Sequence, residues 1–179
     1  MKKIIALLLI IGTFTTSSVF AYNKNVELNT EDYINLINTH MTELKNEIED
    51  KEKANLGTIL LNGIEEGYII PSINNDVKLN KVITELVNNV KDVKIYNKKL
   101  QNKHDELILK LNSLTELVNS SIKCKNEILN SNDKKLVKGQ RLLQEDDKKI
   151  DIINDKIEEI NNLYKEINNF APDKRNPIL

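Results

Sequence analysis

Few side chains in this sequence have the types and spacing that chemistry requires. His40 and His104 are the only histidines, too few for a histidine-based metal site. Paired carboxylates such as Asp146-Asp147 and Glu158-Glu159 alternate with lysines, a pattern typical of a solvated helical surface with ion pairs. We find no glycine-rich phosphate loop, Ser-His-Asp set or paired-cysteine motif. The sequence therefore predicts a protein that is not an enzyme and that uses no cofactor or metal.

Cys124 is the only cysteine, so no disulfide can form within one chain. One interpretation is a tolerated thiol on a helix, and the other is a bridge between two chains. If long helices of two chains pair in parallel and in register, mild oxidation should give a covalent dimer on a non-reducing gel.

Residues 1–21 have the three parts of a secretory signal. Lys2 and Lys3 precede an apolar run at 4–11, which is too short to span a bilayer comfortably. Small residues precede a cleavage site directly after Ala21, and a retained membrane anchor is the alternative. No cysteine follows the apolar run, which argues against a bacterial lipid anchor. We expect an exported protein, periplasmic or extracellular, that touches a membrane only peripherally.

The composition favours long helices over sheets. Charged residues make up 30% of the chain and aromatic residues 4%, with 5 glycines and 3 prolines. Removing the two leader lysines from 26 basic residues leaves 24 against 27 acidic residues, a net charge of about −3. This balance argues against nucleic acid as the main partner. We predict one all-α domain at 22–171, followed by a disordered tail at 172–179.

Three helices are predicted, at about 30–53, 76–130 and 133–170. In the first helix Thr30 is the expected N-cap, because acidic residues follow it directly, and apolar residues recur at spacings of three and four.

Glycines and Pro71 interrupt this periodicity and predict a connector at 55–75. Its apolar residues either fold onto the end of the bundle or contact a partner or membrane. The residues of this possible contact surface are Ile59, Leu60, Ile64, Tyr68, Ile69 and Ile70.

The second helix carries a long heptad pattern, and Asn75 or Asp76 is its expected cap. The predicted seam consists of Leu79, Ile83, Leu86, Val90, Val93, Asn97, Leu100, His104, Leu107, Leu111, Leu114 and Val118. A buried Asn97 at an a position would set the register of a parallel homodimer. Apolar residues beside the seam widen the stripe, which instead favours a bundle of three or more helices. His104 is interpreted as a tolerated residue of the seam.

Helix three has isoleucines at heptad spacing, which points to a higher-order core. The architecture that follows is an elongated antiparallel bundle or coiled coil of about three helices, in which helix three folds back on helix two. An extended parallel homo-oligomer is the alternative, and the two can coexist.

In its Asn/Lys/Ile-rich composition, leader, helical mature part and size, the chain resembles small exported spirochaete proteins, in particular the prophage-encoded BlyB-type holin-accessory family. The resemblance covers the general character of the whole chain, so it carries over no functional residue. It implies a helical protein that modulates a small membrane-permeabilising holin, with residues 59–70 as the contact. The alternative is a structural or adhesive module that binds a host or envelope protein through an amphipathic face.

Overall fold

The computed structural model describes residues 27–59, 66–130 and 137–171. Its elements in chain order are β1 (Glu27–Leu28), α1 (Thr30–Ile59), α2 (Glu66–Val90), β2 (Lys94–Ile95), α3 (Lys98–Asn130) and α4 (Val137–Asn168). The described residues thus form a helical bundle with four helices where three were predicted. The predicted leader, the tail, and Leu60 and Ile64 of the predicted connector lie outside the described residues.

The single helix predicted at 76–130 is wrong. Helix α2 ends at Val90 and α3 begins at Lys98, because β2 lies between them and pairs in parallel with β1. The Tyr96 N–H donates a hydrogen bond to the Leu28 carbonyl at 3.1 Å. Val93 and Ile95 are buried while Lys94 is exposed, which is the two-residue alternation of a strand. The heptad spacing continues across the break because the apolar faces of α2 and α3 are both buried in one core.

Two asparagines cap the helices that follow the strands. Asn29, and not the predicted Thr30, caps α1: its Oδ1 accepts the Asp32 N–H at 2.9 Å. Asn97 caps α3, where its Oδ1 accepts the N–H groups of Lys99 and Leu100 at 3.1 and 3.2 Å. Asn97 is therefore a helix cap at the bundle edge, and its predicted role as a buried residue that sets register is wrong.

Much of the predicted connector at 55–75 is helical. Helix α1 continues beyond the predicted end at 53 to Ile59, and α2 already begins at Glu66. Pro71 lies in the second turn of α2. There the missing N–H removes one backbone hydrogen bond near the helix start, which a helix packed on neighbours tolerates better than a break in its centre.

The helices run alternately up and down. Because α1 and α3 each follow a strand of the parallel pair, both start at the same end of the bundle. Between α2 and α3, Asn80 Nδ2 donates to Asn119 Oδ1 at 3.0 Å, and between α3 and α4, Lys103 pairs with Glu166 at 2.7 Å. These contacts require α2 and α4 to run antiparallel to α3. Helix α3 therefore lies between α2 and α4.

The core changes its character along the bundle. Near the strands, one apolar cluster extends from Tyr33 on α1 to Ile167 on α4. On α3 this cluster ends at Val118. The opposite end, here called the distal end, contains the first turns of α2, the last turns of α3 and the first turns of α4. Beyond Val118 the buried α3 positions include Ser121 and Lys125, so the distal core is partly polar.

We predict that Asn97→Ala lowers the free energy of unfolding by about 1 kcal/mol, because an N-cap side chain is lost. In a continuous helix at 76–130 the same substitution would be stabilising, since alanine has the higher helix propensity. Urea denaturation of the two proteins measures the difference. Asn112→Ala, at an exposed position inside α3, is the matched control and is expected to be neutral or slightly stabilising.

Candidate functional site

The predicted seam forms the core of a single chain. Of its twelve positions, eleven are buried and Asn97 is half-buried. The buried positions pack against residues of α1 and α4 in one cluster, which includes Tyr33, Ile37 and Ile160. A parallel coiled coil between chains along this whole seam would therefore require the intramolecular core to open. The oligomer that the heptads suggested has no free seam to use in this fold.

His104 lies at the point where α1 and α3 meet. Its side chain is buried, and the Tyr33 hydroxyl lies 3.2 Å from Nδ1 with the two rings edge to face at 5.5 Å. Nε2 makes no hydrogen bond to the described residues, although the nearby Lys91 backbone favours protonation of the imidazole. Burial outweighs this effect and that of Asp105, and it lowers the pKa of His104. His104 is therefore a neutral core residue at neutral pH.

At the start of α2 the usual polarity of a helix is inverted, because a charged side chain faces the core while apolar side chains lie on the outer face. Ile70, Ile73 and Val77 are spaced by three and four residues and share one face, where Ile70 is 48% and Val77 50% exposed. Asp76, seven residues before the buried Ile83, lies on the core-facing side of the helix and is completely buried. Between residues 70 and 78 no apolar side chain is buried. This apolar stripe, Ile70–Ile73–Val77, departs from ordinary patterning because its apolar residues share one face outside the core.

The predicted contact surface is brought together only in part. Ile70 belongs to the exposed stripe, whereas Tyr68 and Ile69 lie on α2 and Ile59 ends α1, with only their backbone described. The sequence reasoning missed Ile73 and Val77, because it placed the start of the helix at residue 76. Their spacing of three and four from Ile70 was the available signal.

The distal end contains a buried polar cluster that links three helices. Lys125 Nζ of α3 lies 2.5 Å from Asp76 Oδ2 of α2 and 3.9 Å from Asp146 Oδ2 of α4. The Ser121 hydroxyl lies 3.2 Å from Asp76 Oδ2 and 3.0 Å from Asp146 Oδ1, and its one proton can be donated to either. Lys125 thus forms ion pairs with the carboxylates, and the Ser121 hydroxyl donates its hydrogen bond to one of them. No side chain of the cluster is arranged as an activated nucleophile.

Two interpretations from the sequence are wrong at this cluster. Asp76 was expected to cap a helix, but it lies in the third turn of α2. Asp146 was assigned to a solvated surface, but it is buried. Burial raises the pKa of Asp146, and the charge of Lys125 and the hydrogen bond from Ser121 oppose this shift. Continuing the heptad spacing from Leu79 back to 76, and from Val118 on to 121 and 125, would have revealed the core positions on α2 and α3, and the spacing of seven residues from Ile153 back to 146 would have revealed the one on α4.

Cys124 packs between α3 and α4 and is only 4% exposed. Burial raises the pKa of its thiol, Lys149 opposes the shift, and Asp146 adds to it. A disulfide between two chains therefore requires the interface of α3 and α4 to open first.

The paired carboxylates Glu158 and Glu159 lie on the surface. Glu158 and Glu159 are exposed, and hydrogen bonds from Lys156 and Lys110 lower the pKa of Glu159 to about 2. Such exposed pairs contribute little to stability because water and salt screen them. Among the described residues, no three His, Cys, Asp or Glu side chains are grouped to hold a metal ion. Within the same residues, no helix has the length and apolarity to cross a bilayer.

Comparison with known proteins gives no family assignment. No protein family, curated protein or solved structure matches the chain.

We predict that acid destabilises the fold through His104. The unfolded chain binds a proton near the ordinary histidine pKa of about 6.5, whereas the folded chain does so only at lower pH. The free energy of unfolding should therefore fall as the pH drops below that value towards the lower pKa of the folded state. Urea denaturation at about pH 7.5 and about pH 5 measures this loss. His104→Phe should reduce the loss and His40→Gln should not; equal losses in all three proteins would contradict the prediction.

We also predict that Cys124 reacts at least about tenfold more slowly with iodoacetamide in the native protein than in denaturing urea, because burial limits access and raises the thiol pKa. Mass spectrometry follows the reaction. Mild oxidation should leave the native protein monomeric on a non-reducing gel. Rapid native alkylation, or a covalent dimer, would show that the thiol is accessible.

Proposed function

We propose that this protein is an exported, non-enzymatic binding protein that holds a partner helix on the exposed stripe Ile70–Ile73–Val77. The observation that carries the proposal is the inverted polarity of α2 at residues 70–78. Burying apolar side chains stabilises a fold, so the exposed Ile70 and Val77 and the half-buried Ile73, which accompany a buried carboxylate, contribute little to the stability of the single chain. A partner that covers them would supply the missing burial.

The stripe matches the way in which helices recognise helices. Residues at i, i+3 and i+7 are the anchor positions with which an amphipathic helix contacts an apolar groove or a second helix. The stripe is two turns long, which suits a short partner segment. Lys78 and Lys81 are exposed next to it, so an acidic residue flanking the apolar segment of the partner would find a complementary charge.

We therefore propose a small membrane protein of the holin type as the partner, with this protein as the accessory that modulates its permeabilising activity. The predicted leader and the resemblance to holin-accessory proteins support this choice. A soluble host or envelope protein, bound by a structural or adhesive module, is the rival. It would use the same stripe, but membrane leakage would be unaffected.

Site-specific photo-crosslinking tests the proposal. A photoreactive amino acid is placed at Val77 in the cells that produce the protein, and the crosslinked product is identified by mass spectrometry. We expect a small membrane protein. Leu109, which is 70% exposed on the outer face of α3, is the matched control position and should give no such product.

The identified partner is then reconstituted in dye-loaded vesicles. Wild-type protein should change the leakage rate, and Val77→Asp should abolish this effect because a charge replaces the apolar contact. Leu109→Asp should behave like the wild type. A crosslink to a large soluble protein, or leakage that this protein never changes, would refute the holin-accessory role; a crosslink to a second copy of the chain would assign the stripe to self-association.

A further inference from the structure

We propose that residues 70–78 of α2 form an arm that opens as a unit, and that the buried ion pair between Asp76 and Lys125 is the latch that holds it closed. The use of the arm in partner binding rests on the function proposed above. Its separate opening rests only on the contacts at the distal end.

The arm is attached through polar contacts. Within residues 70–78, Asp76 is the one buried side chain, whereas Leu79, Ile83 and Leu86 anchor the rest of α2 in the apolar cluster. Asp76 binds Lys125 and Ser121, both of which are buried on α3. Residues 70–78 are therefore held through charge and hydrogen bonding, and the boundary with the apolar core falls at Leu79.

A buried ion pair is a conditional attachment. Taking both charges out of water is costly, and their attraction offsets this cost only while the two atoms stay in contact. When the arm opens, both groups regain their hydration, so the net loss is smaller than for opening an apolar interface. Segments with few buried apolar contacts open at lower free energy than the core.

Opening also changes what the arm offers to a partner. In the closed state the side of the arm that carries Asp76 is covered by α3, while an open arm presents its whole circumference. A partner that binds the open arm more tightly must shift the equilibrium towards it, by the difference between its affinities for the two states. The latch then sets how readily the protein engages its partner.

Hydrogen exchange of the purified protein, followed by mass spectrometry, tests the arm without any partner. In the wild-type protein, amides of 70–78 should exchange about a hundredfold faster than those of 79–90, with little dependence on low urea concentrations. Equal protection of the two segments would overturn the proposal. This measurement needs no substitution, so a variant that fails to fold does not affect it.

Asp76→Asn tests the latch. It should accelerate exchange in 70–78 by about tenfold or more and leave 79–90 unchanged, because the arm loses its ion pair with Lys125, whose remaining carboxylate Asp146 lies on α4. Glu85→Gln is the matched control: it removes an exposed carboxylate from the same helix, 3.8 Å from Lys81, and should change neither segment. Unchanged exchange in Asp76→Asn, or acceleration of both segments together, would overturn the latch.

Alkylation of Cys124 distinguishes opening of the arm from opening of the whole distal end. The thiol lies against α4, near Asp146 and Lys149, so its rate should be the same in Asp76→Asn as in the wild type. A parallel acceleration would mean that the end opens as one body, which would refute a separate arm. If crosslinking at Val77 finds no partner, the exchange result still stands; uniform exchange would refute the arm even where a partner is found.

Discussion

The apolar stripe of α3 is the constraint to which the other elements conform. From Leu100 to Val118 every core position is completely or almost completely buried, including the neutral His104. Burying a stripe of this length on all sides requires neighbours along its whole length. Helices α2 and α4 supply them on either side, and α1 closes the core through Tyr33. The alternating directions of the helices follow from this requirement, because short connections place successive helices antiparallel.

The helices are held together by different interactions at the two ends of the bundle. At the strand end, the short parallel pair aligns the starts of α1 and α3, and Asn29 and Asn97 satisfy the first N–H groups of the two helices. At this end, backbone hydrogen bonds next to an apolar core fix the relative positions of the two helices. At the distal end, carboxylates from α2 and α4 converge on Lys125 instead. The two ends should therefore differ in how they respond to the loss of a single side chain. The apolar end is stabilised by many contacts, whereas the stability of the buried charge cluster depends on each partner being in place.

The exposed stripe and the polar cluster are two sides of one feature. Along residues 70–78 the side of α2 that faces the core carries Asp76, in line with the buried Leu79 and Ile83, and Ile70 and Val77 therefore lie outward. The side chains of a helix point in fixed directions around its axis, so the orientation that places this carboxylate in the core also places these apolar residues in solvent. The apolar surface is thus tied to the ion pair that holds the segment, which is why binding and latching are proposed for the same part of the chain.

Periodicity in the sequence determined the helical class, the approximate extent of α4 and the residues of the α3 core, because the 3.6-residue repeat is a local property that every helix must satisfy to bury one face. It could not locate the break at 91–97, since Val90, Val93 and Leu100 keep the heptad spacing whether or not the chain is helical between them. Only the tertiary structure decided that point, through the pairing of β2 with a strand some 67 residues earlier in the register of Leu28 with Ile95.

The same limit applies to the candidate site. The sequence alone predicted that Asn75 or Asp76 caps a helix and that Asp146 is solvated, because helix caps and solvated surfaces are the usual positions of an aspartate. Whether a carboxylate is buried depends on what other elements bring to it. For Asp76 the partners Ser121 and Lys125 are 45 and 49 residues away in sequence, and for Asp146 the partner Ser121 is 25 residues away. The sequence by itself determined which faces are apolar; the tertiary structure decided which of them are covered, because coverage is a property of the neighbours that the packed bundle supplies.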